Sequence, residues 1–196
     1  MQPSEHSRQS GHSLVELMIT VILVMILAAF AIPNIATAIA TLRLRGTASD
    51  FAGLLQQART TAIRKNASYT ILFNLAGVTG AYVDLSGNGS FDTREPMIQF
   101  SGNANQVVAP GGTSGAPTNL DAATGPLGWI ASSGNISFNA RGLPCNSGVN
   151  PCGTNVNYIT YFKDTRSFGA NGWAAVSITA AGRAKVWWWN GSMWTN

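Results

Sequence analysis

Histidine is almost missing from this chain: there are two among 196 residues, both before residue 13. Counting alone excludes histidine-dependent catalysis and His-ligated zinc from everything that follows. Cysteine is as scarce, and two residues cannot build a disulfide-dense scaffold or a Cys-rich zinc module. Charged residues make up only 10% of the chain, while six Trp, eight Phe and four Tyr exclude the charged, aromatic-poor kind of disorder. The length suits one domain, or one domain with an appendage, and no internal repeat is evident. Mean hydropathy is positive despite 21 Gly and 8 Pro, so a membrane segment is the first thing to seek.

The apolar residues are concentrated at one end. From Leu14 to Ile32 only Glu16 and Thr20 are polar. As a helix this run is roughly 28 Å long, enough for a hydrocarbon core of about 30 Å. A short polar leader, residues 1–11, precedes it. An ordinary signal peptide cut after Ala29-Phe30-Ala31 is one reading. Glu16 argues for a retained helix instead. A carboxylate inside such a run costs about 2.5–3.5 kcal/mol on insertion and marks a functional position. Cutting after Gly11 would create a cation to meet it, the α-amine of His12 on a neighbouring copy. Subunits would then sit favourably only where charge meets charge.

Gly11-His12-Ser13-Leu14-Val15-Glu16-Leu17 resembles the type IV prepilin processing motif, with His12 where Phe is usual. The resemblance implies a prepilin peptidase that cuts between Gly11 and His12 and N-methylates His12. It also implies that Glu16 pairs with an amine during filament assembly, and that Pro33 kinks the helix. Arg43 and Arg45 beyond the run, against Arg8 before it, leave the orientation undecided by charge. The resemblance places the helix in the inner membrane as a single pass, with the head in the periplasm.

The helical pattern continues past the apolar run. Phe51, Leu54, Leu55, Ala58, Ala62 and Ile63 recur at spacings of three, four and seven, with Asn66 as a stop and Gly46 as a flexible point. A break near Pro33 or Gly46 stays open at this level. From Ser68 the texture is β. Residues 69–73 and 81–83 read as a hairpin, followed by short strands at 97–100, 136–138, 158–162, 173–179 and 183–189. Residues 101–128, rich in Gly, Asn, Pro, Ser and Thr, read as a long surface insertion. The expected organisation is a leader (1–11), an N-terminal helix (12–66) and a β-rich head (67–196). The fold class is α+β, a long helix packed on antiparallel sheet in the pilin-like manner. The stretch from Val176 to Val186 resembles the end of GspH/FimT-family minor pilins and pseudopilins.

Three constellations in the head could carry chemistry. Asp84, Ser86, Asn88, Asp92 and Glu95 fall at loop positions one, three, five, nine and twelve, with Gly89 at six, as an EF-hand-type calcium loop requires. The alternative is a Gly/Asn-rich strand connection. Cys145 and Cys152 would close a short loop by a disulfide outside the cytoplasm. Strand alternation would put Arg183, Lys185, Trp187 and Trp189 on one face, cations for phosphates and indoles for base stacking. The plainer reading is that these Trp residues cover the sheet or meet a neighbouring subunit. In FimT-like pilins a Gly-Arg-x-Arg motif is implicated in DNA binding; here it reads Gly182-Arg183-Ala184-Lys185, without the second planar fork.

No nucleophile–base pair or paired-acid motif is apparent, so the expectation is a structural protein rather than an enzyme. The expected role is a minor pilin of a type IV pilus or a pseudopilin of a type II secretion system. Its partners would be the peptidase, other pilin-like subunits and the inner membrane. It would require no cofactor, with structural calcium as the candidate. The alternative role is a FimT-like DNA-binding pilin for DNA uptake.

Overall fold

A computed structural model describes residues 13–75, 78–102, 104–107, 110, 117–120, 129–131, 135–146, 152, 155–164 and 172–196. The chain divides into two compact units, Met1–Ala38 and Ile39–Asn196. One helix, α1 (Leu14–Lys65), contributes to both and is unbroken at Pro33 and at Gly46.

In the first unit, every large apolar side chain from Leu14 to Ile35 is exposed. Three polar side chains of this unit turn back on their own helix. Thr20 donates to the Leu17 carbonyl (2.9 Å), Asn34 to Phe30 (3.0 Å) and Thr37 to Pro33 (2.9 Å). Such internal bonding is what a helix in hydrocarbon needs. Pro33 lies inside the helix and has no N–H to offer the carbonyl four residues earlier.

In the second unit the helix becomes one-faced. Ala40, Leu44, Thr47, Ala48, Phe51, Leu54, Leu55, Ala58 and Ala62 are buried, at the three- and four-residue spacing of a single stripe. The helix ends at Asn66, whose φ of +49° is the left-handed cap, and the Ala67 amide bonds the Ala62 carbonyl (3.2 Å).

Eleven strands follow among the described residues: β1 (Tyr69–Leu75), β2 (Val78–Asp84), β3 (Met97–Gln99), β4 (Ala104–Val107), β5 (Trp129–Ala131), β6 (Ile136–Phe138), β7 (Pro144–Cys145), β8 (Asn157–Asp164), β9 (Trp173–Ile178), β10 (Ala184–Trp189) and β11 (Trp194–Thr195). They form two sheets rather than one. The first has the order β3-β2-β1-β6-β7, and the second β11-β10-β9-β8-β4. β5 pairs with β8 in parallel, against an otherwise antiparallel background.

Phe51 joins the two sheets. Its ring lies 5.4 Å from Phe73 of β1 and 5.3 Å from Phe162 of β8, and Phe162 meets Phe100 edge-on at 5.4 Å. Ile71, Val83, Ile136 and Phe138 from the first sheet complete this core with Tyr158, Val176 and Ile178 from the second. A second core lies on the other face of the β8–β10 sheet: Leu120, Ile159, Tyr161, Trp173, Ala175, Trp189 and Trp194.

The reading of 101–128 as surface insertion is therefore corrected. It contains β4, paired with β8 from Ala104↔Asp164 to Val107↔Tyr161, and Leu120, which is 1% exposed. Leu120 donates its amide to the Tyr161 hydroxyl (3.0 Å), and Thr118 accepts the Trp194 indole N–H (2.8 Å). A sheet with apolar residues on both faces needs a cover on each, and residues 117–120 supply part of the second.

Phe51→Ala should cost about 3–5 kcal/mol, the usual loss for an aromatic removed from a packed core. Urea unfolding should show this as a lower midpoint with loss of signal from both sheets together. An undiminished midpoint would mean that the sheets hold each other without the helix.

Candidate functional site

The N-terminal segment is built by helix capping and charge. The Leu17 amide bonds the Ser13 carbonyl (3.1 Å), and Glu16 occupies the first turn, where the helix dipole favours an acid. Glu16 is exposed. Gly11 and His12 lie outside the described residues.

The loop proposed for calcium folds around its own acids. Asp84 and Glu95 are 7% and 6% exposed. Asp84 Oδ1 accepts the Gly87 amide (2.6 Å) and the Ser86 hydroxyl (3.2 Å), and Oδ2 accepts the Gly89 amide (2.9 Å). Glu95 Oε1 takes the Leu85 and Ser86 amides (2.7 and 3.1 Å), and Oε2 takes that of Asp92 (3.0 Å). Asn88 donates its side-chain amide to Asp92 (3.2 Å). Gly87 (φ +72°) and Gly89 (φ +73°) allow the reversal that aims these amides inward. Among the described residues no three His, Cys, Asp or Glu side chains gather as a metal-binding group. Of the residues read as a calcium loop, Asp84, Ser86, Asn88, Asp92 and Glu95, the two buried carboxylates, Asp84 and Glu95, are met by backbone N–H groups of the same strand connection.

Cys145 and Cys152 form a disulfide, with Cα atoms 5.6 Å apart. Cys145 is fully buried, and Tyr158 donates its hydroxyl to the Cys145 carbonyl (2.7 Å). The bridge is a staple on the edge of the first sheet, contributing about 2–3 kcal/mol for a loop this short.

At the C-terminus the alternation holds but the open face does not. Val186 and Trp188 turn to the helix-side core, with the Arg45 guanidinium 5.5 Å above the Trp188 ring. Trp189 is buried in the second core, 5.5 Å from Trp194. Trp187 is half-buried and gives its indole N–H to Ser177 (2.8 Å), with Lys185 5.3 Å above the ring. Of the four residues placed on one binding face, Arg183 is exposed, Lys185 and Trp187 are half-buried and Trp189 is buried. Trp189 is 9% exposed, packed against Trp194 of β11 in the cluster that also holds Leu120.

Two features escaped the sequence reading. One is Tyr82, which donates its hydroxyl to the Gly89 carbonyl (3.1 Å) and meets Phe91 edge-on (5.5 Å) inside the acidic loop. Burial, and then the negative charges of Asp84, Glu95 and Asp92, raise its phenol pKa. The other is Arg59, which bonds a turn 123 residues away at Gly182 (3.0 Å). The left-handed glycines of that region were the available signal.

The model of the prokaryotic N-terminal methylation motif matches residues 6–32 of this chain. Among curated proteins, none matches it in sequence. Among solved structures, the type IV minor pilin FimU of Pseudomonas aeruginosa (strain PAO1) is similar over 78% of this chain and 92% of its own, at 15% identity and a TM-score of 0.47.

Tyr82 makes stability depend on alkaline pH. Its folded pKa is raised, so its contribution is complete below the unfolded value of about 10 and is lost as pH rises through the folded value. Melting temperature should therefore fall above pH ~10, and fall less steeply in Tyr82→Phe, whatever that variant loses at neutral pH. Parallel slopes for the two proteins would show that other groups carry the alkaline loss.

Proposed function

We propose that this chain is a type IV pilin-like filament subunit, cut between Gly11 and His12 by a prepilin peptidase, N-methylated on His12, and assembled through its N-terminal helix. The observation that carries the reading is the methylation motif over residues 6–32, set on a helix whose apolar side chains are exposed from Leu14 to Ile35. In the inner membrane, lipid covers those side chains; in the filament, neighbouring helices replace lipid with no change of solvent quality. Glu16 meets the His12 α-amine of the next subunit, and the pair fixes the axial register because either charge in hydrocarbon without its counterpart is costly. Pro33 gives the helix a point at which to bend. The head lies in the periplasm, an assignment supported by the Cys145–Cys152 disulfide, which belongs to an oxidising compartment. The role is structural, in a type IV pilus or a type II secretion pseudopilus, as a minor subunit of the GspH/FimT kind.

Intact-mass analysis of membrane-extracted protein should find a chain beginning at His12 and carrying one extra methyl group. A mature terminus at Ile32 would make the apolar run a discarded signal peptide and end the filament reading.

Glu16→Ala tests register separately from processing. Membrane insertion should be unchanged or improved, since an intramembrane carboxylate costs about 2.5–3.5 kcal/mol. Incorporation into sheared filaments should drop sharply. Wild-type incorporation of the variant would remove the charge pair from the mechanism while leaving cleavage at Gly11 intact.

A further inference from the structure

The C-terminal end of α1 is met by two glycine turns. Gly142 (φ +72°) bonds its amide to the Asn139 carbonyl (2.8 Å), and Gly182 (φ +81°) bonds its amide to that of Thr179 (2.7 Å). A Cβ on Gly142 would stand 2.6 Å from Ile63 Cδ1. One on Gly182 would stand 3.0 Å from Arg59 Cζ and 3.2 Å from the Gly142 carbonyl oxygen. Both turns therefore lie against the helix and against each other, locked by the Arg59–Gly182 hydrogen bond.

That packing gathers cations. Arg141 precedes one glycine, Arg183 follows the other, and Arg64 and Lys65 end the helix; all four are exposed. No acidic residue occurs in 59–65, 139–142 or 179–183. Among these charges Ile63 remains 49% exposed. An exposed aliphatic side chain beside two turns that carry Arg141 and Arg183 has the composition of a protein–protein contact, in which a desolvated apolar spot holds and the guanidinium forks orient. A nucleic-acid surface for single strands would need rings to stack on, and these three segments contain no aromatic residue.

We propose that this Ile63-centred arginine pole docks an acidic surface of a different protein, one that presents carboxylates around an apolar spot. A second copy of this chain does not fit. Asp84, Glu95 and Asp164 are buried, and among the described residues of the head only Asp50 and Asp92 are exposed acids, on separate elements. Two such heads meeting at this pole would place like charges together. The inference concerns the head alone and stands whether or not the N-terminal helix builds a filament.

The test uses the full-length protein in detergent micelles, with empty micelles as blank. Three probes are compared at low salt: polyglutamate, an alternating Glu-Leu peptide of equal length, and a short DNA duplex. The alternating peptide should bind several-fold more tightly than polyglutamate, and the Arg141→Gln/Arg183→Gln double variant should bind it about tenfold more weakly. Ile63→Ser should erase the preference between the peptides. The single Arg variants replace the double one if its melting temperature falls. Equal affinity for the two peptides, or peptide binding unchanged in the Arg variants, would overturn the proposal. So would failure of both peptides to bind, including the case in which only the duplex binds through these arginines and the pole is a phosphate surface.

Discussion

One helix has to satisfy two solvents, and the rest of the molecule follows from where it changes. Up to Ile35 its apolar side chains point outward all round, an arrangement that water opposes and hydrocarbon accepts. From Ala40 to Ala62 the same backbone buries a single stripe. No break marks the change; side-chain chemistry alone does. In the first stretch, Thr20, Asn34 and Thr37 return their polar atoms to their own helix, so none of those atoms needs water. In the second, Thr47 instead accepts the Ser101 amide (3.0 Å), and Arg59 reaches across to Gly182. Thr60 and Thr61 in this second stretch still bond the Gln56 and Gln57 carbonyls of their own helix, so what sets the stretch apart is the groups that reach out and tie the helix to a head.

The head is organised around the buried stripe because neither sheet closes a core alone. The stripe alternates bulk with smallness: Phe51 stands between the sheets, while Ala48, Ala58 and Ala62 let strands come close. β8 takes the most demanding position. Tyr158 and Phe162 face the helix, and Ile159 and Tyr161 face the second core. A strand buried on both faces obliges another segment to serve as cover, and that is why a Gly- and Asn-rich stretch with weak periodicity still contributes Leu120 to the interior.

Legibility followed the length of each pattern. The helix spans fourteen or so turns' worth of consistent signal, and the apolar run, the one-faced stripe and the Asn66 cap were all readable from residue types. The longer strands were readable too, because Tyr69–Leu75 and Trp173–Ile178 are rich in β-formers. β7 and β11 have two residues each, and β5 has three, too short for any period to show. The division into two sheets was not legible, since it depends on which strands pair across large sequence gaps, as β4 and β8 do. The alternation of β10 is legible, and the burial of Trp189 agrees with the plainer reading, that these Trp residues cover the sheet. Whether a tryptophan faces solvent depends on what covers it, and Thr118 and Leu120 lie far away in sequence. The calcium spacing has a second physical reading. Oxygen ligands at the right intervals are also oxygen acceptors at the right intervals, and the loop's own amides reached Asp84 and Glu95.

The two signs of charge are thereby treated differently. The buried acids of the loop, Asp84 and Glu95, accept backbone amides. Arg141 and Arg183 are held on turns and Arg64 at a helix end, and all three are exposed. Among the described residues the head therefore exposes more cations than acids, a property that favours unlike neighbours over like ones. The proposed N-terminal assembly needs that bias. A helix whose apolar surface runs all round adheres to any similar helix at almost any offset, so adhesion by itself specifies neither partner nor register. In the proposed assembly, axial register within the apolar core is the part that Glu16 would supply, and the proposed docking pole of the head would add selection of a partner outside it.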